Sequence, residues 1–262
     1  VRRRRPSEHG VSSTILPIAV AGLVVALWHL AVVATGIAPY LLPPPLAVAD
    51  EAWAHAGELA AATLRTGTAA GVALAASVAG GLAVAFLFAQ APLVARSLYP
   101  YAIFLQTVPI IAIAPLVIIW SGPGFRSVVV IAFLVAVFPI ITSGTTGLTS
   151  IDRDLRDLFR VYRASRWQTF WKLRLPHALP DVVTGAQVAG GLAVIGAIVG
   201  EVFAGYGADA RGLGYLVTVT AAQLKTAYLF AAIIASTLLG LVFFATLGWI
   251  RAVVTRRWRD VG

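Results

Sequence analysis

Six apolar stretches, residues 15–35, 61–89, 99–120, 126–148, 181–204 and 228–250, alternate with polar connections along this chain. A helix needs about 20 mostly apolar residues to cross a bilayer, and each stretch supplies them. Backbone groups in lipid find no water, so they must be bonded within the segment. The pattern therefore predicts an all-α membrane protein with six transmembrane helices. One long polar island interrupts it, between the fourth and fifth stretches: SIDRDLRDLFRVYRASRWQTFWKLRLPHALPD, from Ser150 to Asp181.

The island predicts two short helices. Asp152 caps the first, with Asp154 in its first turn, where the helix dipole favours negative charge. Leu155, Leu158, Phe159 and Tyr162 recur at helical spacing on one face, and Arg153, Arg156, Arg160 and Arg163 on a neighbouring stripe. Ser165 followed by Gln168 has the spacing of a capping box, so a second helix is expected to begin there. Trp167, Phe170 and Trp171 form its apolar side, Pro176 and Pro180 end the hairpin, and Asp181 opens the fifth span. A loop that is merely solvated has no use for five aromatic side chains. Aromatic and Arg residues together are favoured at protein interfaces, so the hairpin reads as a docking platform, with a resting place on lipid as the other reading.

Charge fixes a direction. Lys and Arg concentrate on the cytoplasmic side of membrane proteins. With the N-terminus inside, the inner flanks hold Arg2–Arg5, Arg96, the seven basic residues of the island, Arg251, Arg256, Arg257 and Arg259. The outer side holds only Arg65, Arg126, Arg211 and Lys225. Residues 1–14 are then a basic cytoplasmic tail. Residues 15–250 form a single membrane domain whose cytoplasmic loop spans 150–180, and residues 251–262 form a second basic tail. Residues 36–60 lie outside; Pro43, Pro44 and Pro45 stop the first helix there, and the stretch from Leu46 to Leu59 reads as a short interfacial helix or a plain loop.

Composition agrees. Charged residues make up 12% of the chain, against about 25% in soluble domains. Without cysteine there are no disulfides or cysteine-ligated metals, and four scattered His make no metal pattern. Eighteen Arg against two Lys, with Ala-rich runs, suggest a GC-rich bacterial genome.

Within the spans, small residues recur every four positions: Gly67, Gly71, Ala75, Ala79 and Ala83 in the second; Gly196, Gly200 and Ala204, with Gly185, Ala189, Ala193 and Ala197, in the fifth. Such rows let helix backbones approach, either inside one bundle or at a subunit seam. Pro109 and Pro115 interrupt the third span and Pro139 the fourth, and each removes a backbone donor. Gln106 and Thr107 precede Pro109; Thr142 and Ser143 follow Pro139. They outline a polar path beside two kinks, or two bent helices whose hydroxyls satisfy themselves. Glu201 is the one acidic residue deep in a predicted span. Intramembrane carboxylates are costly and often functional. Glu201 is therefore a candidate for the path or gate, faced by Gln106 and Thr107, unless its place near the outer end lets it reach interfacial water.

The chain has no G-x-x-x-x-G-K-[ST] phosphate loop and no nucleophile–base cluster. The segment DLFRVYRASRWQTFWKLRLP resembles the cytoplasmic loop of binding-protein-dependent ABC importer permeases, which reads E-A-A, three residues, G, nine residues, I-x-L-P. Asp157 stands at the Glu position and Leu173-Arg174-Leu175-Pro176 at the end. Leu158 and Phe159 replace the alanines, and Arg163 replaces the glycine that would ease the turn. LQTVPIIAIAPLVIIWSG and the later GLGYL, Gly212 to Leu216, are similar to the nitrate/sulfonate/taurine branch.

The resemblance implies a type I ABC importer permease-like fold with a cytoplasmic coupling hairpin between the fourth and fifth helices. It implies ATPase coupling by Asp157, Leu158, Phe159, Arg160, Tyr162, Arg163, Ala164, Ser165 and Trp167. The prolines, their polar neighbours and the intramembrane carboxylate place the expected path or gate at Gln106, Thr107, Pro109, Thr142, Ser143 and Glu201. The resemblance further implies no cofactor on this chain, ATP and Mg on a dimer of separate ATPase subunits, a second permease chain, an extracytoplasmic binding protein, surrounding lipid and no nucleic acid. The location implied is the bacterial plasma membrane, with both termini cytoplasmic. An ion-gradient-driven secondary transporter or channel is the alternative; it would favour more intramembrane charge and repeated halves.

Overall fold

In the computed structural model, residues 12–204 and 211–259 are described. The Arg2–Arg5 anchor and Asp209, beside the predicted gate, lie outside them. The described chain is helical: α1 (Ser12–Thr35), α2 (Pro45–Ala54), α3 (Ala56–Gln90), α4 (Pro92–Thr107), α5 (Ile110–Ser121), α6 (Phe125–Thr149), α7 (Arg153–Val161), α8 (Arg166–Thr169), a π turn (Phe170–Arg174), α9 (Leu175–Ala204), α10 (Leu213–Ala222) and α11 (Thr226–Arg259). Five helical stretches among the described residues are long and apolar enough to cross a membrane. The third expected span is not one helix. It is divided into α4 and α5.

Pro109 causes the division. It has no N–H for the preceding turn and forces the residue before it out of helical geometry. Thr107 Oγ1 donates to the Phe104 carbonyl at 2.7 Å, closing the end of α4. The Pro109 carbonyl then accepts from Ala112 N at 2.9 Å and starts α5. Pro139 leaves α6 continuous, because α6 is clamped between α3 and α9 along its length.

The centre is α3, α6 and α9, with α11 against α9. Apolar side chains gain nothing by leaving lipid for protein, so association rests on close packing. The contact residues are accordingly small: Ala69, Ala73, Ala132, Ala136, Ala189 and Ala193 are all buried. A Cβ on Gly196 would sit 2.7 Å from the Ala132 Cα, so the two backbones touch there. The expected rows of the fifth span are thus its packed face. The expected row of the second span is not: Ala75, Ala79 and Ala83 are exposed, and α3 packs through Thr66, Ala73, Ser77, Gly81 and Ala85 instead. Hydropathy could not choose between these faces, since both are apolar. Pro44 and Pro45 open α2, so the helical reading of the first connection holds, but the helix ends at Ala54 and α3 begins at Ala56 rather than one helix running from Leu46 to Leu59.

Candidate functional site

The hairpin is built as its capping signals dictate, then departs from expectation. The Asp152 carboxylate accepts from Asp154 N at 3.2 Å. At the second helix, Gln168 N donates to Ser165 Oγ at 3.2 Å and Ser165 N donates to Gln168 Oε1 at 2.9 Å, a reciprocal box. Between them the chain turns on Arg163, whose φ is +50°. Arg163 N donates to the Arg160 carbonyl and Ala164 N to the Phe159 carbonyl, each at 3.0 Å, the two bonds of a Schellman turn. A side chain in this left-handed region costs about 1 kcal/mol that glycine avoids. Arg163→Gly is therefore expected to stabilise the turn by roughly that amount, read as slower amide exchange at Ala164 with unchanged membrane insertion; faster exchange would show that the Arg side chain itself braces the turn.

The second helix does not end at Pro176 and Pro180. It runs without interruption from Arg166 to Ala204. The π turn widens the helix just before Pro176, where an ordinary α turn would require the N–H that proline lacks. Phe170 is buried, meeting Phe86 of α3 edge-on at 4.5 Å between ring centroids. Trp167 and Trp171 stay exposed. Around the turn, Leu158 is half-exposed, Tyr162 and neighbouring Val161 are each 78% exposed, and Phe159 is partly buried. Leu158, Phe159, Tyr162 and Ala164 line a groove of about 350 Å³ with Gln168 and Lys172. Asp157 pairs with Arg160 at 3.4 Å on the open surface, where such a pair contributes little. The structure thus gathers the predicted coupling residues around one hairpin turn; Val161, which the apolar periodicity had omitted, lies among them and is exposed.

The predicted path residues separate into three places. Gln106, Thr107 and Pro109 line a groove of about 560 Å³ at the break between α4 and α5, closed by Leu134, Val135, Phe138 and Pro139 of α6 and by Leu192. Pro139 offers no N–H to the Val135 carbonyl, and both residues stand on this wall. Thr142 satisfies itself, donating to the Phe138 and Pro139 carbonyls at 3.1 Å. Ser143 lies at the α6–α9 seam, where its Cβ would be 2.7 Å from a Cβ on Gly185.

Glu201 is elsewhere. It follows Leu192 by nine residues, roughly 13 Å along a helix, and does not line the groove of Gln106 and Thr107. Nor does it reach water: it is 2% exposed. Thr66 Oγ1 of α3 donates to its carboxylate at 2.9 Å, and Gly214 N donates to Oε2 at 2.9 Å. Leu213 N donates to Thr66 Oγ1, also at 2.9 Å. The first two amides of α10 are therefore capped by side chains of two other helices, and the positive end of α10 faces the carboxylate. The glycines of GLGYL follow from this. A Cβ on Gly212 would fall on the carboxylate, and one on Gly214 would strike the Ile198 carbonyl. Thr66 was missed because nothing local marks it; only the adjoining row of small residues hinted that α3 makes a close contact nearby.

Comparison with known proteins agrees with this architecture. Residues 71–260 match the family described as "Binding-protein-dependent transport system inner membrane component". The chain is 35% identical over 210 residues to the formylaminopyrimidine transport permease ThiX of Halalkalibacterium halodurans, covering 80% of this chain and 82% of that one. It is 30% identical to the taurine transport system permease TauC of Escherichia coli, covering 77% and 74%. Its fold matches a chain of the MetNI methionine ABC transporter, in an inward-facing form, with a TM-score of 0.65 at 19% identity over 75% of this chain and 95% of that one. The chain belongs to the binding-protein-dependent transport system inner membrane components, the permease subunits of ABC importers.

Proposed function

We propose that this chain forms half of the solute path of an ATP-driven importer and that its α7–α8 hairpin is the docking platform for a separate ATPase. The observation that carries this reading is the hairpin itself. Leu158, Val161 and Tyr162 project into solvent from a turn fixed by a Schellman motif on one side and a capping box on the other. Exposed apolar side chains on a rigid mount are what a docking surface requires.

In this reading α4 and α5 together complete a sixth crossing, because each alone is short of the roughly 30 Å core. A second permease chain completes the path. Two ATPase subunits bind ATP and Mg and sit on the hairpins, and an extracytoplasmic binding protein delivers the solute. ThiX and TauC carry formylaminopyrimidine and taurine in their names, and other relatives carry nitrate and bicarbonate; the solute inferred here is likewise small. Gln106, Thr107 and Pro109 face the path at the break between α4 and α5, Thr142 and Ser143 support the α6 wall, and Glu201 fastens the outer segment that moves when the gate opens.

The orientation has a direct test. Cysteine is naturally absent, so single cysteines report cleanly. Cysteines at Ser121 and Gln223 are expected to react with an impermeant maleimide applied outside intact cells, and one at Arg153 only after the membrane is opened. The reverse pattern would place the hairpin outside and end its role in ATPase docking.

A further inference from the structure

The hairpin carries a second groove on the side facing the bundle. Arg156 and Arg160 of α7, Arg166 of α8 and Arg174 of the π turn line a space of about 560 Å³, bounded by Ala89 and Gln90, the last residues of α3. Arg156 and Arg174 also line an adjoining space of about 220 Å³ beside Thr149 and Ile151. Arg174 is anchored, donating to the Ala89 carbonyl at 3.0 Å. Among the described residues, one carboxylate stands within 4 Å of these four guanidinium groups, Asp157 beside Arg160. Like charges crowded on one groove repel, and an anion with several acceptor oxygens relieves the repulsion through forked hydrogen bonds.

The groove adjoins a cluster of aromatic side chains at the end of α3. Phe170 meets Phe86, one turn before the end of α3, and Trp167 and Trp171 pack around Phe170 while remaining 64% and 50% exposed. Indoles favour the headgroup layer. Leu87, on the last turn of α3, is also exposed and offers apolar surface at the end of that helix. We propose that this groove binds the phosphate headgroup of an anionic lipid, with an acyl chain lying along the end of α3. Basic pockets between membrane helices hold phosphate headgroups by the same chemistry. A soluble phosphate would use the arginines but not the apolar surface beside them. Phe159 and Ala164 line both this groove and the one beside Leu158 and Tyr162, so an ATPase seated on the apolar turn is the competing occupant.

The test uses the full chain in nanodiscs of phosphatidylcholine, with phosphatidylglycerol titrated in, followed by detergent release and native mass spectrometry. Wild type is expected to retain phosphatidylglycerol and to melt at a higher temperature in its presence. The double substitution Arg156→Gln with Arg166→Gln is expected to weaken retention by about tenfold or more. Arg166→Gln alone should weaken it in part, giving a reading if the double variant inserts poorly. Arg153→Gln, on the same helix but off the groove, should match wild type. Retention by the double variant equal to wild type overturns the proposal. Millimolar inorganic phosphate should leave the melting temperature in pure phosphatidylcholine unchanged; if it stabilises as phosphatidylglycerol does, the ligand is free phosphate and not a lipid. Protection of these arginines from phenylglyoxal by an ATPase partner, with none from phosphatidylglycerol, would make the groove a protein contact and overturn the lipid assignment.

Discussion

Replacing Leu158 and Tyr162 together with Asp is expected to reduce solute uptake to background and to remove the ATPase from the purified complex. Tyr162 faces solvent and Leu158 is half-exposed, so the substitutions remove little packing within the chain. An Asp in the last turn of α7 opposes the helix dipole by about 0.3–1 kcal/mol, which leaves a helix held by its Asp152 cap and its C-terminal turn in place. Loss at the interface is far larger. Anchors buried in a partner pocket contribute about 2 kcal/mol or more each, and a carboxylate forced into such a pocket adds desolvation. Membrane insertion, followed with a C-terminal fluorescent tag, should match wild type. Phe159 is a poorer probe than its position in the motif suggests, because it is partly buried against the hairpin, and a charge there would disturb the fold as well as the surface. Normal copurification and uptake in the double variant would mean that this face rests on lipid.

Glu201→Ala is expected to lower the melting temperature of the protein by several degrees and to reduce the amount recovered from membranes. It strips the acceptor from Gly214 N, and a buried unpaired donor costs about 1–3 kcal/mol. It also opens a cavity at the junction of α3, α9 and α10. Glu201→Gln separates structure from transport. Its carbonyl oxygen can accept from Gly214 N, and its amide can donate to Thr66 Oγ1, so the cap on α10 survives without the charge. If the charge takes part in gating, Glu201→Gln at wild-type assembly levels will change uptake and substrate-stimulated ATP hydrolysis. Wild-type rates in that variant would reduce Glu201 to a fastener of α10.

The features readable in advance are those decided by neighbours in the chain. The Ser165–Gln168 capping box and the Asp152 cap involve residues two or three positions apart, where side-chain reach alone fixes the bond. The packed rows of the fifth span were readable because successive small residues at four-residue spacing leave one helix face without bulk. Arg163 at the turn was likewise visible as a departure from glycine, and its positive φ is the physical consequence.

Three matters were decided only by the tertiary structure. Lipid makes every face of a span apolar, so hydropathy located α3 but could not say which of its rows would pack; contact with α6 and α9 chose the row through Thr66 and Ala73 over the row through Gly71 and Ala75. Proline's missing donor is the same at Pro109, Pro139 and Pro176, yet one breaks its helix, one lies inside a continuous helix packed between two neighbours and one follows a π turn; the difference lies in what surrounds each residue. Glu201 meets Thr66 from 135 positions away. No pattern along the chain encodes that pairing, because it exists only once α3, α9 and α10 have converged. Sequence determined that this is a membrane bundle with a capped, aromatic knuckle; the folded packing determined that the buried Glu201 carboxylate caps a helix, away from the groove between α4 and α5.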